Sequence, residues 1–274
     1  MATSLNNNHR APGEPVIPTI NWGGLRALYV KEVRRFFKVQ LQTVWAPAFS
    51  AMLLLMVFSI AFGRGGHLVM GVPFATFAAP GLIMMAMMQN AFANASFSLL
   101  VGKMQGTIID YLMPPLSHGE LLAALVGAAM TRAVLVGLVV WAAMLLWPGG
   151  AVFPIHPLAV IWFALSGAAM LSLLGVLTSI WAEKFDHNAT ITNFVVQPLS
   201  LLSGTFYSIE GLHGAFRAFS HANPFFYVIS GFRYGFLGQS DSPIGLGVLV
   251  LLGVNLVLGV ACYALLRSGY KLKN

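Results

Sequence analysis

The chain has 274 residues, of which 58% are hydrophobic and only 8% charged, against roughly 25% charged in an ordinary soluble domain. That balance excludes a soluble globular fold and points to an all-α protein with several membrane spans. The net charge of +7 is compatible with nucleic acid as a partner, so its distribution along the chain has to decide.

The opening MATSLNNNHRAPGEPVIPTINW carries no apolar core followed by a small-residue cleavage site, so it does not read as a signal peptide. Residues 1–20 are expected as a disordered lead, with Pro12, Pro15 and Pro18 preventing an early helix. Residues 21–39 read as an interfacial amphipathic helix. Leu25, Leu28, Tyr29, Val33, Phe36 and Phe37 recur at steps of three and four, while Arg26, Lys31, Arg34, Arg35 and Lys38 fill the other faces. Such a helix places its aromatic face in lipid and its cations at phosphates; a straight extension of the first span is the other reading.

Residues 40–274 form the spanning unit. Segments 41–62, 74–101, 121–147, 158–182 and 244–266 are apolar over the ~20 helical residues that a ~30 Å hydrocarbon layer requires. A sixth, 189–209, is more polar but carries no charge before Glu210. With six spans both termini share one side. Alternating loops put Arg10, Arg26, Lys31, Arg34, Arg35, Lys38, Lys103, Lys184, Arg267, Lys271 and Lys273 there, and Arg64, Arg217 and Arg233 opposite. By the positive-inside rule both termini are cytoplasmic. The cations therefore report topology and contact with membrane lipid, not nucleic acid.

Polar residues within the spans come next. Asn90, Asn94 and Ser98 step by four in the second span, so they share one face, which turns toward protein or water. Thr190, Asn193, Gln197, Ser200 and Ser203 make a stripe on the fifth, where Pro198 predicts a kink. Either stripe can glue helices together or line a path. Arg132, inside the third span, snorkels to the interface or pairs with a neighbouring span.

The loop 102–120, GKMQGTIIDYLMPPLSHGE, predicts a short helix with Ile108, Ile109, Leu112 and Met113 on one apolar face, and Lys103, Gln105 and Asp110 elsewhere; Pro114 and Pro115 stop it. This helix either docks to a cytoplasmic protein or rests on the bilayer. Residues 210–242 hold two short helical patterns split at Asn223 and Pro224, too short to span and too apolar to float free. They read as an external re-entrant hairpin. Its Arg233 reads as a cation at the external interface, anchored to lipid phosphate, Glu210 or Asp241, or meeting an anionic cargo.

Several chemistries lack their residues. There is no GxxxxGK[ST] loop for ATP, no HExxH or Cys-x-x-Cys, and no Gly-x-Ser-x-Gly. No Asp or Glu lies near the middle of a span, which weakens an ion-gradient mechanism. The single cysteine, Cys262, forms no intrachain disulfide. An energy source outside the chain is expected.

The order of elements, APGLIMMAMMQNAFANASFS at 79–98, Met-Pro-Pro at 113–115 and NPFFYVISGFRYGFLG at 223–238 together resemble the permease subunit of type-2 ABC exporters. The nearest branch is that of bacterial inner-membrane permeases for multidrug, lipo-oligosaccharide or nodulation-factor export. The resemblance covers nearly all of the chain after residue 20. It implies a transporter subunit rather than an enzyme, a homodimer joined to two copies of a separate ABC ATPase, with ATP and Mg on that partner and no cofactor on this chain. It implies coupling to the ATPase through Lys103, Gln105, Ile109, Asp110, Leu112 and Pro114. Spans two and five would line the path, with Met87, Asn90, Asn94, Asn193, Gln197, Ser200 and Ser203 as candidates. The hairpin would shape the exit, with Phe225, Phe226, Tyr227, Arg233 and Tyr234 as its gate. The cargo expected is amphipathic, a lipid-linked saccharide, lipid or drug; Met84, Met87 and Met88 would suit it, or simply pack helices. The short external loops argue against a periplasmic recruiting partner. A membrane scaffold or sensor using the same cytoplasmic loop, and an ion-coupled carrier, are the competing readings.

Overall fold

The computed structural model describes residues 20–63, 68–147, 150–208 and 215–272; the expected lead up to residue 19, and Glu210, lie outside them. α1 (Trp22–Phe37) is followed by a π-helical turn, Leu41–Trp45, that runs into α2 (Ala46–Gly63). β1 (Leu68–Val69) and β2 (Val72–Pro73) pair antiparallel, Leu68 opposite Pro73. α3 (Phe74–Met104), α4 (Ile109–Leu112), α5 (His118–Met144) and α6 (Pro157–Trp181) follow. α7 (Phe185–Ile191), a second π turn (Thr192–Val196) and α8 (Gln197–Leu201) make one further helical run, and α9 (Ala215–Ala222), α10 (Pro224–Leu237) and α11 (Ile244–Ser268) complete the chain.

Among the described residues four helices are long and apolar enough to cross a membrane: Leu41–Ala61, His118–Met144, Pro157–Trp181 and Ile244–Ser268. α3 is longer, at 31 residues, but Gln89, Asn90, Asn94, Ser96 and Ser98 make it more polar. It is also the axis of the bundle. Most of its side chains are buried, chiefly against α5 and α6 and further along against α2 and α10. The run expected as a fifth span at 189–209 is helical only over Phe185–Leu201, about 25 Å at ~1.5 Å per residue. Beyond it the chain bends, and Gly204 takes a positive φ of 79°.

Both π turns have the same origin. Each ends two residues before a proline, Pro47 or Pro198, whose ring would meet the carbonyl four residues back in a regular helix. Widening the turn removes that clash, and the amides of Ala46 and Gln197 bond instead to Leu41 and Thr192, five residues back. The extra residue also rotates everything beyond it. The stripe drawn with regular helical spacing on 190–203 therefore divides: Thr190, Asn193 and Gln197 are exposed, whereas Ser200 and Ser203 are buried.

Part of the apolar face of α1 is covered by protein. Leu28 and Phe36 are buried as α1 packs against α5, while Phe37 stays exposed; Tyr29 donates to or accepts from Thr131 at 2.8 Å. The face is sticky to protein because α5 offers small residues there: a Cβ on Gly127 would lie 3.7 Å from the Tyr29 ring.

α10 lies deep in the bundle because glycines let α6 approach it. A Cβ on Gly231 would stand 2.2 Å from the Phe163 ring, itself buried. Gly231→Ala is expected to lower stability by about 1–3 kcal/mol through overpacking, and thermal unfolding of the purified protein checks it.

Candidate functional site

α1 carries four cations and one acid, with Lys38 following its last residue. Glu32 stands four residues from both Leu28 and Phe36, so it shares their face and is carried with them into the core, where it is fully buried. Its Oε2 takes a 2.9 Å ion pair from Arg35 Nη2 and a 2.9 Å bond from Ser98 Oγ, and its Oε1 accepts from Tyr111 Oη at 2.9 Å. Burial, and then the charge of Glu32, push the Tyr111 phenol above its usual range, so it stays a donor. Lys31 Nζ sits 3.9 Å above the Tyr111 ring. One carboxylate thus joins α1, α3 and α4. Neither Glu32 nor Tyr111 stood out in the sequence reading; the available signal was a lone acid on the apolar face of a basic helix.

Asn90, Asn94 and Ser98 do turn toward protein. Arg35 Nη2 donates to the Asn94 carbonyl at 2.8 Å and to Ser98 Oγ at 2.8 Å. Arg132 Nη2 donates to Asn90 Oδ1 at 2.8 Å, so the half-buried cation of α5 pairs with a neighbouring helix. Met87, less than a turn before Asn90, packs on Gly137 and lines an apolar cavity of about 230 Å³ with Trp141, Phe232 and Phe236. On the second candidate helix Asn193 and Gln197 face outward, and Gln89 Nε2 donates to Gln197 Oε1 at 3.2 Å. Ser200 and Ser203 are bonded into their own chain, to the carbonyls of Val196 and Ser200. The seven path candidates therefore do not share one surface within a single chain.

At the end of α3 the expected four-residue apolar face also divides, because α4 is only one turn long. Ile108 packs inward beside Tyr111, while Ile109, Leu112 and Met113 are exposed, by 55%, 38% and 78%. Gln105, Asp110 and Pro114 are exposed beside them. Lys103 is held differently: its ammonium donates to the carbonyls of Ile180 and Ala182 at 2.8 and 2.6 Å, satisfying the end of α6.

At the α10 end Arg233 is fully enclosed. Nη1 donates to Asp241 Oδ2 at 2.7 Å, Nη2 to the Gly204 carbonyl at 2.6 Å, and the guanidinium lies 3.9 Å over the Phe77 ring. A cation 1% exposed cannot reach lipid phosphate, which corrects the expectation of an interfacial anchor; of the acids named for it, Asp241 is the partner. Phe225, Phe226 and Tyr227 are buried, and Tyr234 stacks on His156 at 4.8 Å. Asn223 starts α10, its Oδ1 accepting from the Phe225 amide at 3.0 Å, and its Nδ2 donates to the Leu199 carbonyl at 2.9 Å. The hairpin is thereby tied to the end of α8.

A long polar-faced central helix, an exposed apolar turn tied to the bundle by one carboxylate, and a buried helix started by Asn-Pro all lie within the residues, 24–237, that match the ABC-2 type transporter family. The chain belongs to this permease family. It is 34% identical over 256 residues to inner membrane transport permease YadH of Escherichia coli K12, covering 92% of this chain and 98% of that protein. The YadH permease of Shigella flexneri matches to the same extent. Nodulation protein J of Rhizobium leguminosarum bv. viciae is 29% identical over 205 residues, 72% of this chain and 76% of that one. The hub on Glu32, the turn at α4 and Arg233 lie within the matched residues, while Asp241 and α11 lie beyond them.

Proposed function

We propose that this ABC-2 permease is the membrane subunit of an ATP-driven exporter in the bacterial inner membrane, with six spans and both termini cytoplasmic. ATP and Mg bind a separate ABC ATPase, present in two copies on a homodimer of this chain, and an amphipathic substrate leaves the cytoplasmic side for the periplasm. Family membership is the observation that carries this reading, and it implies an ABC ATPase partner. The exposed Ile109, Leu112 and Met113 support coupling at α4: three large apolar side chains on one short turn suit an apolar groove on a partner. Tyr111 and Glu32 would pass displacement of that turn into α1 and α3, and Lys103 would pass it into α6. Asn193 and Gln197, polar and exposed, would face water or the second copy across the path, with Asn90 and Asn94 behind them.

The test is reconstitution of the permease with its ATPase in proteoliposomes. Hydrolysis is expected to depend on the permease, and Ile109→Asp to reduce stimulated hydrolysis and export by about tenfold or more, the loss of one apolar anchor at an interface. Full stimulation by Ile109→Asp, or hydrolysis indifferent to the permease, would count against coupling at α4 and favour a scaffold.

A further inference from the structure

Between α1, the π turn that follows it, α3 and α5 lies a pocket of about 360 Å³ lined by Arg35, Arg132, Asn94, Gln42, Val39 and Phe97 among others, within the roughly 300–1,000 Å³ of small-molecule sites. It holds two guanidinium groups and no acid. Three features of its walls are unfinished. Arg132 Nε is buried with no partner, and so is Nδ2 of Asn94, a residue only 2% exposed. Among the described residues every hydrogen bond of the Arg35 guanidinium runs through Nη2. Unpaired buried donors are costly, and both belong to residues that line this pocket.

The charge balance points the same way. Glu32 is shared by Arg35, Ser98 and Tyr111; Glu120 caps α5; Glu183 pairs with Lys271; and Asp241 pairs with Arg233. The other described acids, Asp110 and Asp186, are exposed at the starts of α4 and α7. Among the described residues Arg132 therefore has an amide, Asn90, but no carboxylate. Guanidinium forks match the oxygens of a phosphate group. Arg35 also lines a surface groove of α1 with Arg26, Lys31, Arg34 and Lys38, which would draw an anion toward the pocket.

We infer that this pocket binds a phosphate-type oxyanion, clamped between Arg35 and Arg132 with Asn94 Nδ2 as a third donor. The apolar walls, Phe36, Val39 and Phe97, suit the glycerol and upper acyl chain of an anionic lipid better than free phosphate. This site does not depend on the transport reaction proposed above.

The full-length permease in a neutral detergent is incubated with phosphatidylglycerol or with phosphatidylcholine of the same chains, and native mass spectrometry reads the lipid retained. Equilibrium dialysis with labelled inorganic phosphate reads the soluble anion. Phosphatidylglycerol is expected to be retained over phosphatidylcholine by about tenfold or more, and Arg132→Gln to abolish that preference, as loss of a charge-assisted contact requires. Asn94→Asp, which puts a carboxylate of the same shape into the pocket, is expected to do the same, so the result does not hang on whether Arg132→Gln folds. Saturable phosphate binding lost in both variants would assign a soluble oxyanion to the same clamp; retention of phosphatidylglycerol without phosphate binding would assign the lipid headgroup. Equal retention of the two lipids with no phosphate binding, or binding unchanged by both variants, overturns the inference. The first of these is what a carboxylate from a second copy, already filling the pocket, would produce.

Discussion

Asp241→Asn is expected to destabilise the permease by about 3–5 kcal/mol, the cost of leaving a buried guanidinium without its counter-charge. The side chains of Arg233 and Asp241 are 1% and 0% exposed, so water cannot replace the lost carboxylate. Arg233 Nε already lacks a partner, and the Gly204 carbonyl and the Phe77 face that remain are neutral. The pair fixes the loop after α8 and the turn after α10 to the same point, so its loss frees both. Replacing the two together, Arg233→Met with Asp241→Leu, is expected to recover most of the loss, since a well-packed apolar pair avoids desolvating two charges. Thermal unfolding in detergent decides: a single variant as stable as the parent, or a double variant no better than the single, sinks the account.

Glu32→Ala is expected to cost a similar amount, about 3–5 kcal/mol, and to unfasten α4 as well. Three donors converge on that carboxylate, from α1, α3 and α4. Removing it leaves Arg35 without an acid and the buried Tyr111 hydroxyl without its acceptor. Glu32→Gln is expected to cost less, about 1–3 kcal/mol, because the amide oxygen still accepts from Tyr111 and Arg35 is 29% exposed. Hydrogen exchange over 103–116 separates a local effect from a global one: faster exchange there in Glu32→Gln, with α6 and α10 still protected, shows the turn released from an intact bundle. Unchanged exchange in that loop would mean that Tyr111 is held by packing alone.

Membrane class and family were legible in the chain because both rest on local properties. The apolar runs at 121–147, 158–182 and 244–266 appear as helices over His118–Met144, Pro157–Trp181 and Ile244–Ser268, since in lipid a long apolar segment must satisfy its backbone internally. The break before α10 was equally plain: Asn223 and Pro224 supply an N-cap and a first-turn proline whatever surrounds them. The division of the 190–203 stripe was not, because periodicity assumes ~3.6 residues per turn and a π turn ahead of Pro198 spends one residue more.

What a residue meets across the bundle was decided by tertiary structure alone. No local pattern singles out the one Glu of α1; only the packing of α1 on α5 turned it into a buried hub. Arg233 looked like an interfacial cation, yet Gly231 admits α6 so closely that α10 is drawn inside and its arginine must find Asp241. Arg35 and Arg132, 97 positions apart in the chain, share a pocket because α1 packs on α5. Hydropathy and caps act between neighbours in sequence, while counter-ions and close helix approaches are set by contacts between residues far apart in the chain, which no local pattern encodes.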